Sequence, residues 1–376
     1  MKYCSKCLQP DTRPNTKFND LGVCPACVYF ASHKNIDWPH RNEILLSLAE
    51  KYKNLSAQYD CIIGVSGGKD SNRQARWVRD FLKLRPLLVS VSFPPHQLTS
   101  IGADNISSLI EDGFDVITSS PAPETWRQLM RLSFDEFVNW GKSSELALFA
   151  GVPQIAIDYK IPLILWGENP GLQLGDLNTL GNEGYDGNNL RNMNTLSGGG
   201  FQWMLDAGFS EKDLILYKYP TLEEFKAHNI QIVYLGWFLG DWSLVNNGHV
   251  SALSGLKIRD DVATNTGDLY GVTSLDENWV TLNQMIKYYK FGFGRASDYV
   301  NEMIRLETID REEGIAIVEK YDGKCSDKYI DDFCEFIGIT PQYFWDKVFS
   351  VANKELFEVE GKILKRKFSV GTGLIK

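Results

Sequence analysis

A six-residue segment at positions 66–71, with the sequence SGGKDS, most strongly constrains how this chain can fold. It follows an apolar segment, 61–65, and precedes a segment with helical periodicity, 72–84. A buried strand, a glycine turn and a helix start form a concave anion site, because backbone N–H groups converge there and the helix N-terminus is partially positive. Gly67 and Gly68 permit backbone angles that other residues disfavour. The segment therefore predicts a phosphate-binding loop at the end of a strand.

The side chains of this loop suit a phosphate group. Ser66 and Ser71 offer hydroxyl groups, and Lys69 offers a positive charge. Asp70 is a candidate ligand for a Mg²⁺ ion that accompanies bound phosphates. The loop is not a Walker A motif, which needs glycine where Ile63 stands and serine or threonine where Asp70 stands. An ordinary glycine-rich turn between strand and helix is the alternative interpretation.

Strand and helix patterns alternate through residues 55–250. The predicted strands are 61–65, 86–91, 114–118, 161–166 and 230–235, and helical patterns separate them. Such alternation predicts an α/β domain with a doubly wound, mainly parallel sheet. Beyond about residue 283 the pattern becomes helical, so we expect a helical C-terminal region over 280–376.

Four cysteines near the N-terminus form two Cys-x2-Cys pairs. They are Cys4, Cys7, Cys24 and Cys27. The spacing is typical of a structural zinc site in which four thiolates complete a tetrahedron. A segment this poor in apolar residues needs a metal to fold. We predict a zinc-binding module over residues 1–35, with an iron–sulfur cluster or a redox pair as alternatives.

A second candidate site closes the predicted strand 161–166. The sequence there, at 167–170, is GENP. Ligands of parallel sheets bind beyond the carboxyl ends of the strands, so Glu168 and Asn169 should face the same crevice as residues 66–71. Glu168 can bind Mg²⁺, or it can orient or deprotonate an incoming amine. A helix cap or a salt bridge is the alternative role for this carboxylate.

Two further segments follow strand ends. Ser92 and Phe93 end the second predicted strand, where they can flank the adenine of ATP. Residues 167–200 are rich in glycine, asparagine and aspartate. A long segment of this kind predicts either a lid or substrate loop, or a plain surface insertion.

Composition excludes several classes of protein. The 376 residues carry a formal net charge of −9, and the pI is near 5.2. A broad nucleic-acid surface would be basic, so we expect no nucleic-acid partner. No apolar stretch is long enough to span a bilayer, and the N-terminal residues do not resemble a signal peptide. We therefore expect a cytoplasmic protein without membrane insertion, whose cysteines are thiols or metal ligands.

The chain resembles the N-acetyl sugar amidotransferases of bacterial surface-polysaccharide and nonulosonic-acid pathways. These enzymes lie within the adenine-nucleotide α-hydrolase superfamily, also called the PP-loop ATP pyrophosphatases, and we call residues 66–71 the PP-loop. The residues that carry the resemblance are 3–7 (YCSKC), 64–71 (GVSGGKDS), 161–171 (IPLILWGENPG), 290–298 (KFGFGRASD), 304–305 (IR), 310–313 (DREE) and 320–323 (KYDG). The resemblance spans nearly the whole chain.

This resemblance implies conversion of an acetamido group on a sugar into an acetamidino group. ATP would transfer AMP to the amide oxygen with release of pyrophosphate, and ammonia would then displace AMP. The implied catalytic residues are Lys69, Asp70 and Glu168, and the implied cofactors are ATP, Mg²⁺ and structural Zn²⁺.

The charged residues of the C-terminal tail are candidates for binding the substrate. If the tail folds over the crevice, Arg295 or Arg305 can hold an anionic sugar through bidentate phosphate contacts. Asp298 belongs to the same motif. Arg127, on a predicted helix, is a weaker candidate for an acid or diphosphate group. The alternative for all four is a solvated helix face or a surface ion pair.

The source of ammonia is expected to be a separate protein. We find no glutaminase-like cysteine nucleophile with histidine partners, and the five histidines are scattered. A glutaminase subunit, together with a channel-forming partner like the imidazole-glycerol-phosphate synthase pair, would supply NH₃ to an acetamido sugar substrate.

Two other functions remain open from the residues. One is a tRNA thiolase of the same superfamily, which would adenylate a base carbonyl. The other is a zinc-ribbon adaptor that senses a nucleotide without catalysis. The acidic pI argues against the first, and the presence of Ser66, Lys69, Asp70 and Glu168 argues against the second.

Overall fold

The computed structural model describes residues 1–56, 58–175, 183–193, 196–361 and 363–375. A parallel sheet of five strands lies at its centre, in the order β3-β2-β1-β4-β5. The strands are β1 (Cys61–Gly64), β2 (Pro86–Val91), β3 (Val116–Ser119), β4 (Leu163–Trp166) and β5 (Gln231–Tyr234). The order reverses between β1 and β4, as in a doubly wound fold. The predicted fold class is confirmed.

Helices surround this sheet and continue beyond it. Those up to β5 and directly after it are α1 (Pro25–Ser32), α2 (Trp38–Tyr52), α3 (Lys69–Asp80), α4 (Ser100–Glu111), α5 (Pro123–Phe137), α6 (Gly141–Asp158), α7 (Pro170–Leu174), α8 (Gln202–Asp206), α9 (Leu222–Ala227) and α10 (Leu244–Leu253). The later ones are α11 (Ala263–Thr266), α12 (Val280–Phe291), α13 (Arg295–Arg305), α14 (Arg311–Tyr321), α15 (Asp327–Ile337) and α16 (Pro341–Val351).

Successive side chains of the buried strands point to opposite faces of the sheet, and each face packs into its own hydrophobic core. On β1, Ile62 packs with side chains of α5 and α6, whereas Ile63 packs on the opposite face with α2, α3 and α4. Successive residues of a strand point to opposite faces, so a strand buried on both sides is apolar throughout. The three layers leave the carboxyl ends of β1, β2 and β4 at one edge, where loops can build a site.

The C-terminal region is helical from α12 to α16, as expected, but the last part of the expected range 280–376 is not. After α16 the chain forms two short antiparallel hairpins, from β6 (Phe357–Glu360) with β7 (Ile363–Arg366) and from β8 (Phe368–Ser369) with β9 (Gly373–Leu374). Glycines with positive φ at 361 and 371 stand at the turns of these hairpins. Such turns favour hairpins over a continuous helix.

The two ends of the chain share one core. Leu8 packs with Val300, Phe357 and Phe368, and its backbone N–H donates to Asn301 Oδ1 at 2.8 Å. The N-terminal module is therefore docked on the C-terminal region instead of standing alone. The predicted boundaries of the three domains stay a prediction.

No helix among the described residues is long and apolar enough to cross a membrane.

Candidate functional site

The PP-loop turns sharply between β1 and α3. Gly67 has φ +74°, and a Cβ on this residue would lie 2.7 Å from the carbonyl oxygen of Gly102. Gly68 is the N-cap of α3, and no side chain caps the helix there. The first N–H groups of α3 therefore lack a capping side chain, which leaves them suited to an anion.

Helix α10 contacts the two charged residues of the loop, Lys69 and Asp70. Lys69 Nζ lies 2.7 Å from Asp70 Oδ2, and Asp70 Oδ1 accepts a hydrogen bond from Asn247 Nδ2 at 2.6 Å. Ser251 Oγ donates to the carbonyl oxygen of Lys69 at 2.6 Å. The Lys69 side chain is only 6% exposed. A buried cation at the positive end of a helix is unfavourable by itself, so the arrangement suits a bound anion.

A cavity of about 470 Å³ opens at this edge of the sheet. The PP-loop, the end of β4 and helix α13 form its polar walls, and Phe149, Val152 and Trp166 belong to its apolar wall. The predicted site residues that line it are Ser66, Gly68, Lys69, Asp70, Ser71, Glu168, Arg295, Asp298 and Arg305. A mainly preformed cavity with convergent polar groups is the usual form of a small-molecule site.

Glu168 faces this cavity with an altered proton affinity. Burial, and then the negative charge of Asp70, raises the pKa of Glu168 to about 7, while Lys69 acts in the opposite direction. A carboxyl group with a pKa near neutrality can accept and release a proton during a reaction.

Helix α13 presents a polar stripe to the cavity. Arg295, Asp298, Glu302 and Arg305 are spaced by three, four and three residues, which places them on one helical face. Although burial acts to raise the pKa of Asp298, Lys287 and Arg13 hold it below its usual range. Lys287 Nζ lies 2.9 Å from Asp298 Oδ2, and Arg13 forms a second ion pair with the same carboxylate.

Two arginines of this stripe remain available to a ligand. Within the described ranges, neither Arg295 nor Arg305 forms an ion pair with a carboxylate. Both residues line the cavity. Together with Lys69 they give the cavity lining three cationic side chains, which stand among the carboxylates of Asp70, Glu168, Asp276, Asp298 and Glu302.

A second cavity, of about 200 Å³, adjoins the first at the end of β2. Ser92 and Phe93 line it, and Ser66 and Asp276 line both cavities. Burial, and then the neighbouring Glu277, raises the pKa of Asp276 to about 7. The position of Ser92 and Phe93 agrees with the adenine contact predicted for them, which stays a prediction.

The four N-terminal cysteines can hold a metal ion. Their sulfur atoms are buried and lie within 4.8 Å of one another, and Cys7 Sγ is 3.7 Å from Cys24 Sγ. Tetrahedral zinc with Zn–S bonds of about 2.3 Å places sulfur atoms about 3.8 Å apart. The N–H groups of Lys6 and Cys24 both point at Cys4 Sγ, at 3.4 and 3.2 Å. Such donors stabilise thiolate over thiol, so the donor set fits a metal.

Comparison with known families identifies one part of the chain. Residues 269–369 match the family model described as "LPS biosynthesis protein WbpG-like, C-terminal domain". The matched segment contains Asp276 and the whole of α13, and so supplies one wall of the cavity. It also contains the tail motifs on which the predicted resemblance depends. The relation to a lipopolysaccharide-biosynthesis family is confirmed for this segment.

Comparison with solved structures adds a weaker likeness. The U34-tRNA thiolase NcsA from Methanococcus maripaludis, with its [4Fe-4S] cluster, is 14% identical; the match covers 73% of this chain and 82% of that chain, with a TM-score of 0.30. A likeness of this size carries no information about substrate or mechanism. No curated protein matches the chain.

Three predicted site residues line neither cavity: Gly67, Arg127 and Asn169. Gly67 forms the sharp turn of the PP-loop. Arg127 is on the outer face of α5, where its guanidinium pairs with Glu124 at 2.6 Å. Asn169 is buried, accepts a hydrogen bond from Leu172 N–H at 3.2 Å and donates to the carbonyl oxygen of Gly236. Asn169 therefore caps α7 and does not face the crevice, contrary to our expectation. The reason is that the side chains of consecutive residues after a strand point in different directions, so Glu168 and Asn169 cannot both face the cavity.

The glycine-rich segment 167–200 is described only in part. Residues 176–182 and 194–195 lie outside the described residues, so the predicted lid or insertion is not decided here. Glu168 and Gly167, at the start of the segment, do line the cavity.

The sequence analysis did not identify several residues that line or support the cavity. Glu302 follows Asp298 by four residues, so helical spacing was a signal for it. Asp276 lies in an irregular segment without periodicity, and Gln74 lies within an ordinary helix. Asn247 supports Asp70 from a helix 177 residues away in the sequence, which no local pattern shows.

Proposed function

We propose that this protein is an ATP-dependent amidotransferase that converts the acetamido group of an anionic bacterial sugar into an acetamidino group. The sugar would belong to a surface polysaccharide or be a nonulosonic acid. One observation carries the proposal: a single cavity is lined by the PP-loop on one side and, on the other, by the segment that matches a lipopolysaccharide-biosynthesis family.

The PP-loop side would bind the phosphates of ATP. The uncapped N-terminus of α3 and Lys69 would hold the departing pyrophosphate, and Asp70 would hold Mg²⁺. The neighbouring cavity beside Ser92 and Phe93 would take the adenine. In this arrangement the α-phosphate would lie in the main cavity, beside the end of β4.

The α13 side would bind the sugar. Arg295 and Arg305 offer planar guanidinium groups for a carboxylate or a diphosphate. Phe149 and Trp166, whose rings stack at 5.3 Å, offer an apolar wall for the sugar ring and the acetamido methyl group. A ligand bound between these two surfaces would present its acetamido oxygen to the α-phosphate.

The proposed reaction has two steps. In the first, the acetamido oxygen attacks the α-phosphorus of ATP, an O–P bond forms, and pyrophosphate leaves. In the second, ammonia adds to the amide carbon, its nitrogen loses a proton, and the C–O bond to AMP breaks. Glu168, whose pKa of about 7 leaves much of it as carboxylate at neutral pH, would accept that proton.

The cysteine cluster would hold a structural zinc ion. Its four thiolates would fill the tetrahedral coordination shell of zinc and would leave no open position. Among the described residues the cavity is lined by no cysteine, so sulfur chemistry has no candidate nucleophile there. This favours nitrogen transfer over thiolation at the proposed site.

A separate glutaminase, with a channel-forming subunit, would supply the ammonia. The purified chain should use ammonium salts but not glutamine. Turnover with glutamine alone would contradict the requirement for this partner.

The function is tested by incubating the purified chain with ATP, Mg²⁺, an ammonium salt and a panel of acetamido sugars. We expect mass spectrometry to show replacement of oxygen by NH in one sugar, with stoichiometric AMP and pyrophosphate. Chains with Lys69→Ala should lose the activity, and Arg127→Gln, outside the cavity, should retain it. ATP consumption with tRNA and none with any sugar would overturn the proposal.

A further inference from the structure

The two cavities at the carboxyl edge of the sheet share part of their lining. Within the described part of the chain, three residues line both of them: Ser66, Val91 and Asp276. If adenine occupies the smaller cavity and the triphosphate lies at the PP-loop, the ribose that joins them must pass this boundary. Val91 is apolar, and Ser66 Oγ lies over the PP-loop, 3.2 Å from where a Cβ on Gly68 would stand. Asp276 is therefore the charged group beside the expected position of the ribose.

Helix α4 fixes the position of Asp276. The N–H of Thr99 donates to the carbonyl oxygen of Asp276 at 3.0 Å, and Thr99 Oγ1 donates to that of Leu275. A Cβ on Gly102 would lie 2.4 Å from the Cα of Asp276, so this close approach requires glycine at position 102. A Cβ on Gly67 would in turn meet the carbonyl oxygen of Gly102. The backbone of Asp276 is thus packed, through Gly102, against the PP-loop.

The neighbouring carboxylates of Asp276 and Glu277 differ in their partners. Glu277 accepts hydrogen bonds from the N–H groups of Trp279 and Val280 at 2.6 and 2.8 Å, and from Gln97 Nε2 at 3.2 Å. Among the residues that the structure describes, no other residue donates to the carboxylate of Asp276, which has only its own backbone N–H. Glu277 therefore holds the start of α12, whereas Asp276 keeps acceptor oxygens for a ligand. A partly buried carboxylate without donors favours a ligand that supplies hydroxyl groups.

We propose that Asp276 binds the ribose of ATP and selects ribonucleotides over deoxyribonucleotides. Its carboxylate would accept hydrogen bonds from the 2′- and 3′-hydroxyl groups, as an acidic residue does for the ribose in dinucleotide-binding folds. The choice of ATP as the nucleotide rests on the proposed function. The adenine and the phosphates would contact the α/β domain, while the ribose would contact the segment that matches the lipopolysaccharide-biosynthesis family. Nucleotide binding would thus involve both parts of the chain.

The affinity of the full-length chain for ATP, 2′-deoxy-ATP and 3′-deoxy-ATP tests the role of Asp276. Calorimetry with Mg²⁺ and without sugar measures binding alone. At pH 8 a carboxyl group with a pKa of about 7 is mostly ionised. Wild type should bind ATP at least about tenfold more tightly than one of the two deoxy analogues, which is the effect of one hydrogen bond to a charged group.

Variants of Asp276 should lose this preference. Asp276→Ala should bind ATP and its deoxy analogues equally, and Asp276→Asn, which keeps one acceptor oxygen, should be intermediate. Asp104→Ala changes an exposed carboxylate of α4 that lines neither cavity, and it should keep the wild-type preference. The preference is a ratio measured within each variant, so a general loss of stability does not change it.

The outcomes separate this role from the proposed function. Equal affinity of wild type for ATP and both analogues, or an unchanged preference in Asp276→Ala, would overturn the role of Asp276 and leave the proposed function intact. Absence of ATP binding by wild type would overturn both. Absence of sugar conversion would contradict the proposed function while the ribose preference still stands.

Discussion

Single residues of the PP-loop depend on their backbone geometry. Gly67 has a positive φ, and the space beside it is closed by the backbone of Gly102. Gly67→Ala should cost about 1–2 kcal/mol from the left-handed conformation, and the clash should displace the loop. We expect pyrophosphate release to fall by at least about tenfold, since a small displacement of phosphate-binding groups has large effects.

A matched control separates strain from displacement of the site. Gly113 also has a positive φ, but a Cβ there meets nothing within 4 Å. Gly113→Ala should lower the unfolding free energy by a similar amount and leave pyrophosphate release near the wild-type rate. If both variants lose activity equally, the loop geometry is not the cause.

The raised pKa of Glu168 predicts that turnover depends on pH. Its pKa of about 7 means that the carboxylate form, the proton acceptor, grows as the pH rises through 7. Turnover expressed per free NH₃ should therefore increase between pH 6 and 8. Glu168→Gln should lower turnover by about 100- to 10,000-fold and flatten this profile. A Gln variant that keeps both the rate and the profile would exclude Glu168 as the base.

The shifted pKa of Glu168 also affects stability, but in the opposite direction: stability should fall as the pH rises, whereas turnover should increase. Its folded pKa is above that of an unfolded glutamate, so the folded state binds more protons between about pH 4.5 and 7. This contribution to stability is present below pH 4.5 and is lost as the pH rises through 7. Glu168→Gln should thus be more stable than wild type at pH 8, as measured by chemical denaturation at several pH values.

At the scale of elements, α13 begins where a distant residue caps it. Asp322, at the end of α14, accepts hydrogen bonds from the N–H groups of Gly294 and Ser297 at 2.8 and 3.0 Å. Gly294, the N-cap residue of α13, has no side chain to cap the helix, so the local sequence does not mark this start. The N-terminal turn, with Arg295, is therefore fixed by a tertiary contact.

Removal of the Asp322 cap should make the first turn of α13, which lines the cavity, less ordered. Asp322→Ala should destabilise the protein by about 1–3 kcal/mol and raise the KM for the sugar more than it lowers kcat. Asp322→Asn keeps one acceptor oxygen and should show a smaller effect. An unchanged KM in the alanine variant would show that the first turn of α13 does not contact the sugar.

At the scale of the whole molecule, the metal module and the C-terminal region form one structural unit. Arg311 donates hydrogen bonds to the carbonyl oxygens of Cys4 and Cys7, and also to that of Gly371 at 3.0 Å. The core shared by Leu8 and Phe368 reinforces this link. Loss of the metal should therefore affect segments far from the cysteines in sequence.

We expect chelation to lower the unfolding free energy by several kcal/mol. Hydrogen exchange should show lost protection in α13 and α14 together with residues 1–35, while β1 and β2 stay protected. Exchange that increases only within residues 1–35 would show that the module folds independently of the C-terminal region. A variant of the exposed Lys365–Glu360 pair should leave the pattern unchanged.

The sequence by itself determined the elements and the chemistry of the PP-loop, because these depend on local patterns. Periodicity, glycine placement and cysteine spacing act over a few residues, so β2 has the predicted bounds, 86–91. Only the tertiary structure decided which distant groups meet. Asp276 and Arg305 line the cavity and Asn247 holds Asp70, all through packing of segments distant in the sequence, whereas Arg127 and Asn169 are turned away from the cavity. The physical reason is that burial and long-range contacts orient side chains, and neither is encoded in the spacing of neighbouring residues.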